Sequence, residues 1–345
     1  MSTTPTDSTT AQTTRVQMLT PQEVRQFSQT SGLNTWKAIF LDWGVIGLIF
    51  YLGACFSHLS LSTSFSSYFP AFICLPLIYL PLMMLMARQQ LALGLLMHDA
   101  THGRLFKSRF WNDVICQFFC SGPLFFSLYS YRNSHLKHHL DPLVPDDPDI
   151  TLTGGYPISG RSFARKLFRD VSGISYFKFI KYFVYRTHNR TPRGAEPEAG
   201  TAVKKKAHSE SNLLSLRVVI FSMLLSNLVL FGILALLGHP GLYFLLWALP
   251  SMTFLQVYLR IRGIAEHAGY HPNPDQRLNS RTVVNPVQTF LWAPHCVNYH
   301  VEHHIYPSVP YFRLPKVHRL LAARGALPKE NVYYSYVQVI RDLVK

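Results

Sequence analysis

Four stretches of this chain stay apolar for about 20 residues at a time, the length a helix needs to cross a bilayer. They fall at about 36–55, from 70 into "LALGLLM", at about 213–237 and at about 242–261. The chain has 345 residues, 48% hydrophobic and 15% charged, against roughly 25% charged in an average soluble domain. Its apolar residues are gathered into those runs rather than spread, which reads as an integral membrane protein. Pro76 and Pro81 fall inside the second run and are expected to kink it.

Charge gives the sidedness. A net charge of +15 would point to nucleic acid in a soluble chain. Here the links at 56–68 and 238–241 contain no Lys or Arg, whereas the region from Arg104 to Lys206 holds seventeen. Loops rich in Lys and Arg stay on the cytoplasmic side. Both termini, the middle region and the final segment are therefore expected in the cytoplasm, with no nucleic acid as partner. The run "RQQ" at 88–90 is expected at the water interface. Beyond it the second span would continue as helix for roughly 15 Å, at 1.5 Å per residue. The expected architecture is an all-α integral membrane protein with four transmembrane helices and a cytoplasmic helical cap.

Two further apolar segments, 110–130 and 174–185, are expected to lie in the membrane interface. Gly122-Pro123 breaks the first, and a true crossing there would invert the charge pattern. The start, "MSTTPTDSTTAQTT", has neither the basic nor the apolar part of a signal peptide and is expected to be a disordered tail. Thr20, Pro21 and Glu23 then form a capping-box start for a short helix. The stretch at about 189–212 reads as a flexible linker, and its Asn189-Arg190-Thr191 sequon as a chance match. Five scattered cysteines (Cys55, Cys74, Cys116, Cys120, Cys296) form no CxxC pair, so neither a disulfide framework nor a zinc knot is expected.

The chemical signal lies in the histidines, sixteen in all. "HDATH" supplies His98 and His102, "HLKHH" supplies His135, His138 and His139, "AEHAG" supplies His267, and "HVEHH" supplies His300, His303 and His304. Residues three and four apart share one helix face, so each cluster can present its rings to one point. By the expected topology all nine lie on the same side, close to the membrane. A single HxxxH is commonly incidental, but two HxxHH boxes with an HxxxH and a lone His on one face are hard to explain by packing. Nine imidazoles exceed what one metal accepts, so the cap is expected to carry a di-metal site with four or five ligands to each ion. Imidazole suits iron, zinc and copper alike.

Asp99, Glu266 and Glu302 stand beside ligands and are expected to hydrogen-bond the outer nitrogen of a ring from another cluster, fixing its tautomer. Ordinary cap or surface roles are the competing reading for these acids. The acids of "PDDPD" (Asp146, Asp147, Asp149) read as a turn. The other seven histidines (His58, His188, His208, His239, His271, His295, His318) are assigned to surface, turn or interface roles, His295 alone lying close to a box.

At these residues the chain resembles the membrane fatty acid desaturases, whose hallmark is three histidine boxes around a di-iron centre. HDATH matches the first box, HLKHH the second and HVEHH the third, with "DDPD", "RIRGIAEHA" and "NYHVEHHIYPSVP" as similar flanks. The resemblance spans about 31–345 and leaves 1–30 as a tail with a short interfacial helix. It implies two non-haem iron ions on His98, His102, His135, His138, His139, His267, His300, His303 and His304, with O2 as co-substrate. Asn298, beside the third box, is implied as a supporting residue. The third box opens with His300, where members that desaturate toward the carboxyl end commonly have Gln; that subgroup is disfavoured. No fused cytochrome b5 domain is expected.

The implied function is O2-dependent desaturation of a lipid acyl chain. The chain shows no flavin, haem or iron–sulfur motif, so the electrons are expected from a separate donor of ferredoxin or cytochrome b5 type, steered by the basic face. Two alternatives stay open. A related di-iron hydroxylase or ketolase acting on a lipid or carotenoid would carry the same boxes. A membrane zinc hydrolase would want an HExxH helix, and here Asp99 occupies the place of the general-base Glu. A metal transporter or sensor would want ionisable groups along the spans, for which Arg88, Arg217 and Asn227 are poor candidates.

Overall fold

A computed structural model of the chain describes residues 18–62, 71–178, 180–181, 213–270 and 275–345. The expected tail up to residue 17, the linker and the sequon lie outside the described residues. The described part is largely helical. Its elements run from α1 (Pro21–Phe27) through α2 (Gly32–Ser62), α3 (Ala71–Thr101), α4 (Arg109–Cys116), α5 (Leu128–Leu140) and α6 (Gly160–Val171) to α7 (Leu216–Leu236). After them come α8 (Phe254–His267), α9 (Pro286–Trp292), α10 (His300–Ile305), α11 (Leu314–Ala323) and α12 (Tyr336–Leu343). A two-stranded parallel sheet pairs β1 (Thr282–Val283) with β2 (Val332–Tyr333).

Four helical segments are long and apolar enough to cross a membrane: Gly32–Ser57, Pro76–Thr101, Leu216–Leu236 and Tyr243–His267. Large apolar side chains such as Phe40, Leu41, Leu224 and Leu228 stand on their outer surfaces, as lipid contact requires. Both expected kink prolines sit inside one continuous helix, α3. The fourth span is broken instead: a π-helical stretch, Tyr243–Ala248, and a short turn precede Thr253, where the backbone leaves helical geometry before α8.

Gln89 and Gln90, expected at the water interface, are packed inside the protein at 2% and 1% exposure. Gln89 donates to the Asp42 carboxylate of α2 at 3.3 Å, and Gln90 to the Trp247 carbonyl at 2.7 Å. Polar groups among apolar spans must find partners within the protein, and these two tie α3 to its neighbours on both sides.

The segment at 110–130 breaks where glycine and proline announce it. α4 runs on as a π-helical stretch (Gln117–Ser121) and a 3-10 turn (Gly122–Leu124), Phe125 takes a left-handed φ of 57°, and α5 leaves at 93° to the preceding helix. Among the described residues there are thus four candidate spans, or five if this bent pair is counted as one. The bend presses against α7: a Cβ on Gly122 would lie 2.5 Å from the Gln117 carbonyl and 3.3 Å from that of Ser222.

The capping box at Thr20 is present, with the Glu23 carboxylate accepting from the Thr20 N–H at 2.8 Å. Val24 and Phe27 of α1 pack against the buried cluster that includes Val317 and Leu321 of α11. Glu23 also pairs with Arg324 beyond the end of α11, so this helix belongs to the cap.

The tight turn generates a test. Gly122→Ala forces main chain apart, and overpacking of this kind costs about 1–3 kcal/mol. The variant should melt measurably lower in detergent, while Gly94→Ala, whose Cβ meets nothing closer than 4.0 Å, should melt like the parent. Equal melting of both variants contradicts the packing described.

Candidate metal centre

The nine box histidines arrive from four helix ends. α3 delivers His98 on its last turn and His102 just past its end, α5 delivers His135, His138 and His139, His267 is the last residue of α8, and α10 carries His300, His303 and His304. Because α3 and α8 both end at this cluster, the two spans present the same end of the membrane domain to the cap.

The rings sort into two sets. His98, His102, His135, His139 and His303 bring one nitrogen each to within 4.8 Å of one another, and His138, His267, His300 and His304 do the same. In the first set Nε2 of His135 lies 3.0 Å from Nε2 of His102 and of His139, and His139 lies 3.0 Å from His303. In the second, Nε2 of His267 lies 3.1 Å from that of His138 and 2.8 Å from that of His300. The division into five and four matches what two ions would need.

Tautomers decide whether these short contacts are hydrogen bonds. Nδ1 of His267 lies 2.9 Å from the Asn279 carbonyl oxygen, which can only accept, so Nδ1 carries the proton. Nδ1 of His138 lies 3.0 Å from both oxygens of Asp147 and donates to that carboxylate. In the neutral rings both Nε2 atoms are therefore bare, and their lone pairs face each other. Such a contact is repulsive unless a proton or a metal ion lies between. Burial lowers His138, but the hydrogen bond to Asp147 and the nearby carboxylates outweigh it and raise it above the ordinary histidine range. Nitrogens bound about 2.1 Å from one ion at right angles sit about 3.0 Å apart, which is the spacing found. Nε2 of His98 and of His304 are buried with no hydrogen-bond partner among the described residues. Burial, reinforced by neighbouring imidazoles, holds His300, His303 and His304 well below the ordinary histidine range. Neutral rings with bare nitrogens are what a metal requires.

The surrounding acids fall into different roles. Asp147, read from sequence as part of a turn, is one: it accepts the N–H of Leu143 and of Asp149 at 2.8 and 2.9 Å. It also anchors His138, an outer partner the sequence reasoning missed. Burial pushes its carboxyl up, but the hydrogen bond from His138 outweighs this and leaves it below the usual carboxylate range. Asp99 accepts the Tyr311 N–H at 2.8 Å, with its other oxygen 3.7 Å from Nδ1 of His98 in its own cluster. Glu266 lies 3.6 Å from Nε2 of His300 and 3.5 Å from Arg262. Glu302 contacts no metal-facing ring; it is held at 2.5 Å by both Thr282 and His318. Asn298 exchanges hydrogen bonds with Val283 at 3.0 Å, pinning the third box to β1.

Two further supports had no sequence signal. Arg132, 4% exposed, donates to the carbonyls of Thr101 and Ala100 at 3.1 and 3.0 Å and pairs with Asp113, so the guanidinium fastens the end of α3 to α5. Tyr131 stacks on His135 with ring centres 5.4 Å apart.

Removing the outer partner of a metal-ligating histidine typically costs 10–100-fold in metal affinity. Asp147→Asn should therefore lose metal to a chelator at about 10–100-fold lower concentration than the parent, by elemental analysis of desalted protein. Unchanged retention contradicts the role given to Asp147.

The family model described as fatty acid desaturase matches residues 72–338. The chain is 25% identical over 250 residues to dihydrorhizobitoxine desaturase of Bradyrhizobium elkanii, covering 69% of this chain and 66% of that protein. It is 27% identical over 233 residues to a beta-carotene ketolase of Paracoccus sp. (strain N81106 / MBIC 01143), covering 65% and 72%. Human fatty acid desaturase 3 is 24% identical over 264 residues, 72% of this chain and 57% of that protein. The chain belongs to the fatty acid desaturase family.

Proposed function

We propose that this protein is an oxidoreductase that uses O2 to introduce a double bond into a lipid acyl chain, with two iron ions held by the nine histidines. The observation that carries the reading is the two imidazole sets, each bringing its nitrogens within 4.8 Å of one another, with the outer nitrogens of His138 and His267 tied by hydrogen bonds so that their inner nitrogens face the cluster. His98, His102, His135, His139 and His303 would hold one ion, and His138, His267, His300 and His304 the other. When bound, iron supplies the reduction of O2 and the oxidising power that an unactivated methylene pair demands.

The protein's own residues hold and seal the site. Asp147 and the Asn279 carbonyl keep protons on the outer nitrogens of His138 and His267, which turns the inner nitrogens toward the ions. Arg132 holds α3 against α5, and with them the first and second boxes. His135, His138, His300, His303 and His304 are each at most 4% exposed, which withdraws most of the site from bulk water; His102 and His139 are half-buried. Electrons come from a separate donor of ferredoxin or cytochrome b5 type. The Lys- and Arg-rich middle region supports such an acidic partner, and supports placing the site and both termini on the cytoplasmic side.

A second reading, hydroxylation or ketolation of a lipid or carotenoid, is favoured by the likeness to beta-carotene ketolase. Expression in an iron-replete host with a donor system, followed by mass spectrometry of extracted lipids, separates the two. Loss of two hydrogens from an acyl chain is expected, and His303→Ala should abolish it. Gain of oxygen selects the second reading, and no change in any lipid pool contradicts both.

A further inference from the structure

α2 carries an acid that the metal centre does not use and that the fold occupies at one oxygen only, through Gln89. Asp42 lies inside the first span and is 3% exposed. One of its oxygens accepts from Gln89; the other lies 2.8 Å from Nε2 of His295. An ionisable group among membrane spans marks a functional site, with its partner, by default. That partner is held in an unusual way. His295 and Cys296 take left-handed φ values of 54° and 58° in succession, and the His295 ring meets Tyr311 edge-on at 5.1 Å.

His295 stands between two spaces. On one side is a half-open cavity of about 360 Å³ whose wall includes Arg88, Thr289, Phe290 and Cys296, within the size range of small-molecule sites. On the other is a chamber of about 10 Å³ bounded by His98, Asp99 and His303, room for roughly one water. The outer cavity borders α9, which leaves Val287 and Phe290 at 72% and 65% exposure, an apolar rim suited to lipid. Arg88, half-buried, donates its Nε to the Phe290 carbonyl at 3.1 Å and lies over the Phe290 ring. The wall thus combines one cation, whose Nη1 also donates to Gln89, with apolar surface and the polar side chains of Asn285, Thr289 and Asn298.

We propose that this cavity binds a single-chain amphiphile with an anionic head at Arg88, and that His295, latched by Asp42, is the door through which the chain reaches the metal centre. The inference rests on the lipid reading above and names the end of the substrate that this site takes. A carboxylate and a phosphate head share the required chemistry.

Cys296 lines the cavity and reports its occupancy. The intact protein in nanodiscs is alkylated with N-ethylmaleimide and Cys296 is quantified by peptide mass spectrometry, with Cys55 as internal control. Palmitate or 1-palmitoyl lysophosphatidate should slow modification of Cys296 about ten-fold more than hexadecanol does, the contribution of one charge-assisted hydrogen bond. The better of the two anions identifies the head. Arg88→Gln should erase the advantage of the anions yet keep the protection given by hexadecanol, which also shows that the cavity is still formed; Arg88→Lys should restore part of it. Asp42→Asn should speed modification of Cys296 and leave Cys55 unchanged. No protection by either anion, or equal protection in Arg88→Gln, overturns the proposal. Product formation is scored in the same iron-loaded nanodisc preparation, before alkylation, with O2 and an electron-donor system supplied. Double bonds made without protection sink the cavity alone, whereas protection without product supports it and counts against desaturation.

Discussion

Nine imidazole nitrogens turned into two small volumes repel one another, and the fold is arranged to keep them there. In the neutral rings the lone pairs of His138 and His267 face each other 3.1 Å apart, because Asp147 and the Asn279 carbonyl hold their protons on the far side. The site is thus organised by what lies behind the rings. Without those outer partners either tautomer would serve, and the inner nitrogens could satisfy each other.

The membrane supplies the other half of the constraint. A helix crossing lipid satisfies its own backbone, so side-chain chemistry can be gathered only where spans end or where polar groups find partners inside. α3 and α8 deliver histidines at their ends. α5 and α10 are brought under them by the sharp turn at Gly122 and by the link from Asn298 to β1. Arg132 closes the arrangement at the point where α3 runs out of helical partners for its last carbonyls. Fold and site are one structure here, since the same hydrogen bonds end the helices and fix the rings.

Much of this is legible in the sequence because its signals are periodic or concentrated. Apolar runs of bilayer length announce the spans, and spacings of three and four announce which histidines share a face. Gly122-Pro123 marks the break between α4 and α5. Partnerships between residues distant in sequence are not legible, because no local pattern encodes them. Asp147 looks like a turn residue, and is one, and nothing nearby says that its carboxylate also reaches His138. Glu302 looks placed to support a ligand but is held by Thr282 and His318. Gln89 and Gln90 look like residues for water and are instead buried between spans, because Asp42 and Trp247 are there to receive them.

X-ray absorption at the iron edge of the purified protein, joined to elemental analysis, examines the heart of the matter. Two irons per chain with a first shell rich in imidazole nitrogen, and an iron–iron vector in the outer shells, is the expected result. A single zinc, or iron in a shell without imidazole, would contradict it.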